Sequence, residues 1–138
     1  MKPAEMRSYL RTYKTNLKEI SARVKHLEWL KKEVYFPLLD TPDLNDKVLI
    51  NARSTMLKIV TEMQGEIDEL ERKNCSIEKL ISLLKGDERT IIYARYVLGA
   101  SWLDVPPLLN YEIAQCQRIE RRAILNLIKI KNNFPLLW

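Results

Sequence analysis

Between Met6 and Val34 the apolar residues recur at Met6, Leu10, Tyr13, Leu17, Ile20, Val24, Leu27 and Val34, in alternating steps of four and three with one interruption at Lys31. Steps of that kind lay one stripe along an α-helix, the seam of a heptad repeat. The pattern predicts a helix from about Pro3 to Val34, ended by Pro37, Thr41 and Pro42. At about 1.5 Å per residue such a helix is roughly 45 Å long, so its seam must meet another long helix. A second series supplies one: Leu49, Ala52, Met56, Ile59, Met63, Ile67 and Leu70, then Ile77, Ile81 and Leu84 after a polar break at Lys73, Asn74 and Ser76. Either an antiparallel hairpin within one chain or a coil between two chains satisfies both seams.

The pattern shortens after Gly86. Asp87 is placed to cap a helix of about eleven residues, with Glu88 in its first turn, Ile91, Ile92, Ala94, Tyr96 and Val97 as buried surface, and Gly99 as its end. Ser101-Trp102-Leu103-Asp104 has the spacing of a capping box, but Pro106 and Pro107 fall beyond its first turn and predict a very short or bent element. A third helix beginning near Glu112 carries Cys116, Ile119, Ala123, Leu127 and Ile130 along one side. With the turn at Leu109-Asn110-Tyr111 this is a helix-turn-helix pattern. Ile124, Leu125 and Ile128 fall opposite that stripe and need cover from the N-terminal hairpin or a second subunit, which makes a homodimer a candidate assembly. The predicted organisation is a coiled-coil-like hairpin over 1–85, a helix-turn-helix over 86–131 and an apolar tail over 132–138.

Composition supports an all-α fold. The chain has 138 residues and three Gly, the residue that costs about 1 kcal/mol in a helix interior and dominates the turns of β proteins. No apolar run reaches the roughly 18 residues of a membrane span, and Lys2, Glu5, Arg7 and Arg11 interrupt the N-terminus, so the expectation is a cytoplasmic protein with no membrane partner. Cys75 and Cys116 with the single His26 form neither a disulfide framework nor a zinc set, and no cofactor or metal is expected. Nor is an enzyme. His26 has no nucleophile at a readable spacing, no glycine-rich phosphate loop is present, and Glu66, Asp68, Glu69 and Glu71 are scattered round a helix.

Charge divides the chain unevenly. The net charge of +5 resolves into +5 over residues 1–35, −2 over 36–85 and +2 over 86–138. Within 113–138, Arg118, Arg121, Arg122, Lys129 and Lys131 face a single acidic residue, Glu120, which makes the last helix a candidate polyanion contact.

The ordered residues Arg95-Tyr96-Val97, Gly99, Ser101-Trp102, Asp104-Val105, Leu109-Asn110-Tyr111, Gln115-Cys116, Arg118-Ile119 and Ala123-Ile124 resemble the C-terminal half of phage-encoded late regulators of the ArpU/RinA type. Their helix-turn-helix is similar to the promoter-reading domain of bacterial sigma factors. The resemblance implies transcriptional control of phage late genes in a bacterial host, through double-stranded DNA and with contact to host RNA polymerase. This chain departs from that pattern at Pro106-Pro107, at Glu112 in place of a capping Ser, and at Ile113 and Ala114 where sigma factors tend to place base-reading Arg and Glu.

On a helical wheel Ala114, Gln117, Arg118 and Arg121 face away from the core stripe, with Arg122 flanking them. Arg can bond guanine through two parallel hydrogen bonds and Gln can do the same with adenine, while short Ala114 lets a helix approach the groove. Gln115 and Arg122, nearer the edge, suit phosphate contacts that fix register. The competing expectation is a helical module that binds polymerase, a sigma factor or another phage regulator without DNA, motivated by Pro106-Pro107, by Ile113 and Ala114, and by the exposed apolar side at Leu125.

Overall fold

The structure is a computed structural model and describes residues 1–42 and 46–135. Leu136, Leu137 and Trp138 of the expected apolar tail lie outside the described residues. All regular elements among the described residues are helical: α1 (Pro3–Leu30), a π turn (Lys31–Tyr35), α2 (Phe36–Leu39), α3 (Lys47–Ser82), α4 (Gly86–Ile92), a second π turn (Tyr93–Val97), α5 (Pro106–Leu109) and α6 (Ile113–Asn133). The fold is all-α.

The first helical run passes through Pro37 and ends at Leu39, contrary to the expected stop. A proline ring clashes with the carbonyl four residues back in a regular α-helix. Here the backbone widens just before it, and the Phe36 N–H reaches the Lys31 carbonyl five residues back. The widened turn makes room for the ring, and it falls where the heptad series is interrupted at Lys31.

The chain packs as two compact units: Lys18–Arg72, and Met1–Leu17 with the chain from Lys73 onward. Their boundaries cut α1 and α3 part-way along. In the first unit Leu27, Val60 and Ile67 are buried, with Ile20, Val24 and Met63 packed against them. Val60 takes the inward place expected of Ile59, which is exposed. Arg53 donates to the carbonyls of Leu38 (3.0 Å) and Thr41, satisfying acceptors at the end of α2.

In the second unit Met6, Leu10 and Tyr13 of α1 meet Ile77, Leu80 and Ile81 of α3 and Leu84 just after it. The predicted seam slips here. Leu17 is 44% exposed, while Asn16 beside it is buried, so the inward place three rather than four residues after Tyr13 goes to a polar side chain. The polar break at Lys73–Ser76 does not interrupt α3 either. Asn74 turns inward and accepts a hydrogen bond from Asn16 Nδ2 on its Oδ1 (2.9 Å), and its own Nδ2 donates to the Tyr13 carbonyl (3.1 Å). Two buried amides satisfying each other fix one register of α1 on α3, since sliding either helix would leave both unpaired.

α6 buries two faces. Cys116 and Ile119 pack with Ile91, Ala94 and Val105, whereas Ala123, Ile124 and Leu127 join the cluster of Met6, Leu10, Ile77 and Ile81. The cover that Ile124 and Ile128 require therefore comes from the same chain, through α1 and α3. Leu125 alone of that trio remains exposed.

The capping expectations need correction. Lys85 is the N-cap residue of α4 without a side-chain bond, Gly86 takes the left-handed φ of +58°, and Asp87 accepts instead from the Tyr111 hydroxyl (3.0 Å). Ser101 and Asp104 close a turn, Oγ to Oδ2 at 3.0 Å, rather than open a helix. Pro106 and Pro107 then start α5 instead of bending it. First-turn N–H groups have no helical acceptor, so prolines there lose nothing and bring the right φ.

Asn74→Ala strands Asn16 Nδ2 without its acceptor and removes the second donor from the Tyr13 carbonyl, and is expected to destabilise the protein by about 2 kcal/mol. Replacing both amides, Asn16→Leu with Asn74→Leu, is expected to recover most of that loss. Urea denaturation midpoints at unchanged slope check both.

Candidate functional site

α5, a three-residue connection and α6 form the helix-turn-helix geometry. Asn110 caps α5 in the left-handed region (φ 59°, ψ 34°), which Asn tolerates better than most residues, and its N–H returns to the Pro106 carbonyl (2.9 Å). Glu112 is extended at the N-cap of α6, and its carbonyl accepts the Cys116 N–H at 3.0 Å. Its side chain makes no capping bond. Val105, Cys116 and Ile119 are buried beneath the turn.

The segment leading into the turn is held by its polar residues. The second π turn ends with the Leu98 N–H on the Tyr93 carbonyl (3.0 Å) and the Ala100 N–H on the Ala94 carbonyl (2.8 Å), closing over Gly99 at φ +72°. A side chain at Gly99 would be strained by that φ. Arg95 lies over the Trp102 ring, 4.4 Å from its centroid, and donates through Nη1 to the Ala100 carbonyl (2.8 Å). Arg95, Gly99, Ser101, Trp102, Asp104, Asn110 and Tyr111 thus each have a mechanical task in shaping the turn.

Of the six expected contact residues on α6, Ala114, Arg118, Arg121 and Arg122 are exposed, and Gln115 and Gln117 are half-buried. Ala114, Gln117, Arg118 and Arg121 stand three, four and seven positions apart and form one stripe. Arg118 and Arg121 have no carboxylate partner among the described residues, although Arg118 Nε reaches back to the Ala114 carbonyl at 3.4 Å. Arg122 is different. Its Nε donates to Glu88 Oε1 (2.8 Å), and Asn126 holds both oxygens of that carboxylate, so Glu88 on α4 compensates the Arg122 charge.

Glu120 was read from the sequence as one acidic residue on a basic helix, but it is buried, 4% exposed. Arg7 Nε and Nη2 donate to its two oxygens at 3.0 and 3.1 Å, and the Tyr96 hydroxyl donates to Oε1 at 2.9 Å. The Arg7 guanidinium is pushed up, chiefly by its hydrogen bonds to Glu120. Burial, reinforced by the nearby carboxylate, pushes Tyr96 up to about 12. Position 120 was recognisable as inward, because Cys116, Glu120, Ile124 and Leu127 follow one another in steps of four, four and three.

Beside this pair lies a cleft of about 250 Å³ lined by Arg7, Arg11, Arg95, Trp102, Gln117 and Arg121, with Tyr96 and Glu120 at its wall. Two of the stripe residues, Gln117 and Arg121, therefore also border a basic hollow to which α1 contributes. Sequence reasoning missed Arg7, Arg11, Arg95 and Trp102 as a group, since they come from segments about a hundred residues apart.

A second hollow of about 410 Å³ is predominantly apolar, lined among others by Ile81, Tyr93, Val97, Leu98 and Leu108. Near it the Tyr13 hydroxyl donates to Glu78, and burial followed by that carboxylate pushes Tyr13 up to about 12. Burial also pushes the Cys116 thiol up, and both cysteines are free.

Comparison with known proteins brings one partial likeness. Over 80 residues, 57% of this chain, it is 32% identical to the chromosome-associated kinesin KIF4 of Gallus gallus, of which the match covers 6%. No family model matches the chain, and no solved structure matches it. No described helix is long and apolar enough to cross a membrane.

The two raised phenols set an alkaline limit. A tyrosine whose folded pKa lies near 12 against about 10 unfolded contributes stability that is full below pH 10 and lost as pH rises towards 12. Stability is expected to fall across that window, and less steeply in Tyr96→Phe. Denaturation midpoints followed with phenolate absorbance from pH 9 to 12 test it.

Proposed function

We propose that this chain is a DNA-binding transcriptional regulator of the phage late-gene type, acting in the cytoplasm of a bacterial host. The observation that carries the reading is the stripe of Ala114, Gln117, Arg118 and Arg121, on the helix that follows a three-residue turn and is otherwise anchored by two buried faces. A rigid helix with a narrow polar face, short at its N-terminal end and cationic after it, suits insertion into a major groove. Arg118 and Gln117 are the base-reading candidates, and Gln115 sits at the phosphate edge. Arg122, engaged with Glu88, supports the helix more than it contacts DNA. The chain acts by binding, without a catalytic step or cofactor, and contact with host RNA polymerase follows from its resemblance to late activators. Homodimerisation on two half-sites belongs to the same proposal.

The apolar hollow beside Leu98 and Leu108 favours a second reading, in which the domain binds polymerase or a sigma factor and no DNA. The readings separate on one experiment. Under the first, the protein shifts duplex DNA flanking its own gene, affinity falls steeply between two salt concentrations, and Arg118→Ala with Arg121→Ala stays folded while losing at least tenfold in affinity. Absence of binding at low salt, together with co-purification of polymerase, decides for the second.

A further inference from the structure

The basic cleft beside Glu120 holds more positive charge than the fold uses. Of its four guanidinium groups, only Arg7 is neutralised, by both oxygens of Glu120. The Tyr96 hydroxyl takes a further lone pair of that carboxylate, so Glu120 is fully engaged by its neighbours. Arg11, Arg95 and Arg121 remain around one hollow of about 250 Å³ with no carboxylate of their own among the described residues. Like charges gathered in one concavity repel one another and concentrate anions from solvent.

Arg95 shows how firmly the group is built. Its plane lies over Trp102 and one amino group is tied to the Ala100 carbonyl, which fixes the guanidinium without consuming its charge. Its Nε is buried with no acceptor. Arg11 stands one turn after Arg7 on α1, and Arg121 one turn after Gln117 on α6, so three separate segments bring cationic side chains to the lining of one hollow. Guanidinium forks match the tetrahedral oxygens of phosphate, and several converging on one hollow match an anion with several oxygens better than a single carboxylate.

We propose that the cleft formed by Arg11, Arg95, Gln117 and Arg121 is a binding site for a phosphate group. Its most direct source is the backbone of the duplex, because Gln117 and Arg121 belong both to the cleft and to the exposed stripe of α6. In that form the inference rests on the DNA-binding reading, and it reassigns Gln117 and Arg121 to fixing the strand, leaving Arg118 to read bases. It also makes α1 part of the contact surface.

The test uses the full chain and the variant Arg11→Gln, with Lys129→Gln as a charge-matched control elsewhere on the same unit. Two arms run in parallel: salt-dependent duplex binding, and pyrophosphate titration followed by NMR of the arginine Nε–H groups. With the backbone as source, Arg11→Gln weakens cognate and scrambled duplexes alike by about tenfold, and lowers the slope of log affinity against log salt by about one, while Lys129→Gln leaves it at the parent value. With free phosphate as source, pyrophosphate shifts the Arg95 and Arg121 signals saturably, Arg11→Gln abolishes the shift, and the duplex slope does not move. A parent protein that ignores DNA but shows the saturable shift refutes the DNA-binding reading and upholds the phosphate site. Unchanged duplex slope in Arg11→Gln together with no saturable shift overturns the proposal.

Discussion

Removing a carboxylate from water is costly unless its oxygens find charged or hydrogen-bonding partners, and Glu120 finds three donors from two distant parts of the chain. Arg7 supplies a two-pronged contact from α1, and Tyr96 supplies a hydroxyl from the π turn after α4. The geometry constrains all three elements at once. Apolar contacts around Ile92, Ile124 and Leu127 have no preferred direction, whereas the bonds to Glu120 do. That buried charge ties α6, and with it the direction of its outward stripe, to α1 and to the π turn after α4. The pair is asymmetric as well: Arg7 keeps 29% of its side chain exposed against 6% for Glu120, so the carboxylate depends on the arginine more than the reverse.

Both π turns do local work that a regular helix would not. The one at Lys31–Tyr35 lets the chain carry Pro37 without breaking. The one at Tyr93–Val97 sets Tyr96 inward towards Glu120 and Arg95 towards Trp102 before Gly99 reverses the chain. One extra residue in a turn rotates everything after it by roughly 100°, which a wheel drawn at constant pitch cannot anticipate.

The long helices, the helical class and the outward stripe of α6 were legible because periodicity reports burial directly. Val60 for Ile59 was missed because neighbouring apolar residues offer the same stripe two registers, and Asn16 for Leu17 because Asn16 turns inward to a partner, Asn74, fifty-eight positions away. Pro106 and Pro107 were read against a helix start placed too early, so residues that begin α5 looked like residues that break it. The basic cleft was illegible for a different reason. Each of its arginines is unremarkable in its own helix, and only the tertiary fold brings them together.

The bond between Arg7 and Glu120 spans 113 positions of sequence. During synthesis at about 5–20 residues per second, the start of α1 therefore waits roughly 6–23 s for its partner to be made. Early in that interval Met6, Leu10 and Tyr13 have neither α3 nor α6 to pack against, and once α3 has followed they still lack the cover of Ala123, Ile124 and Leu127. The helix-turn-helix is not an autonomous module, because part of its cover is α1, about a hundred positions earlier in the chain. Its assembly is a long-range step that needs α1 and α6 together.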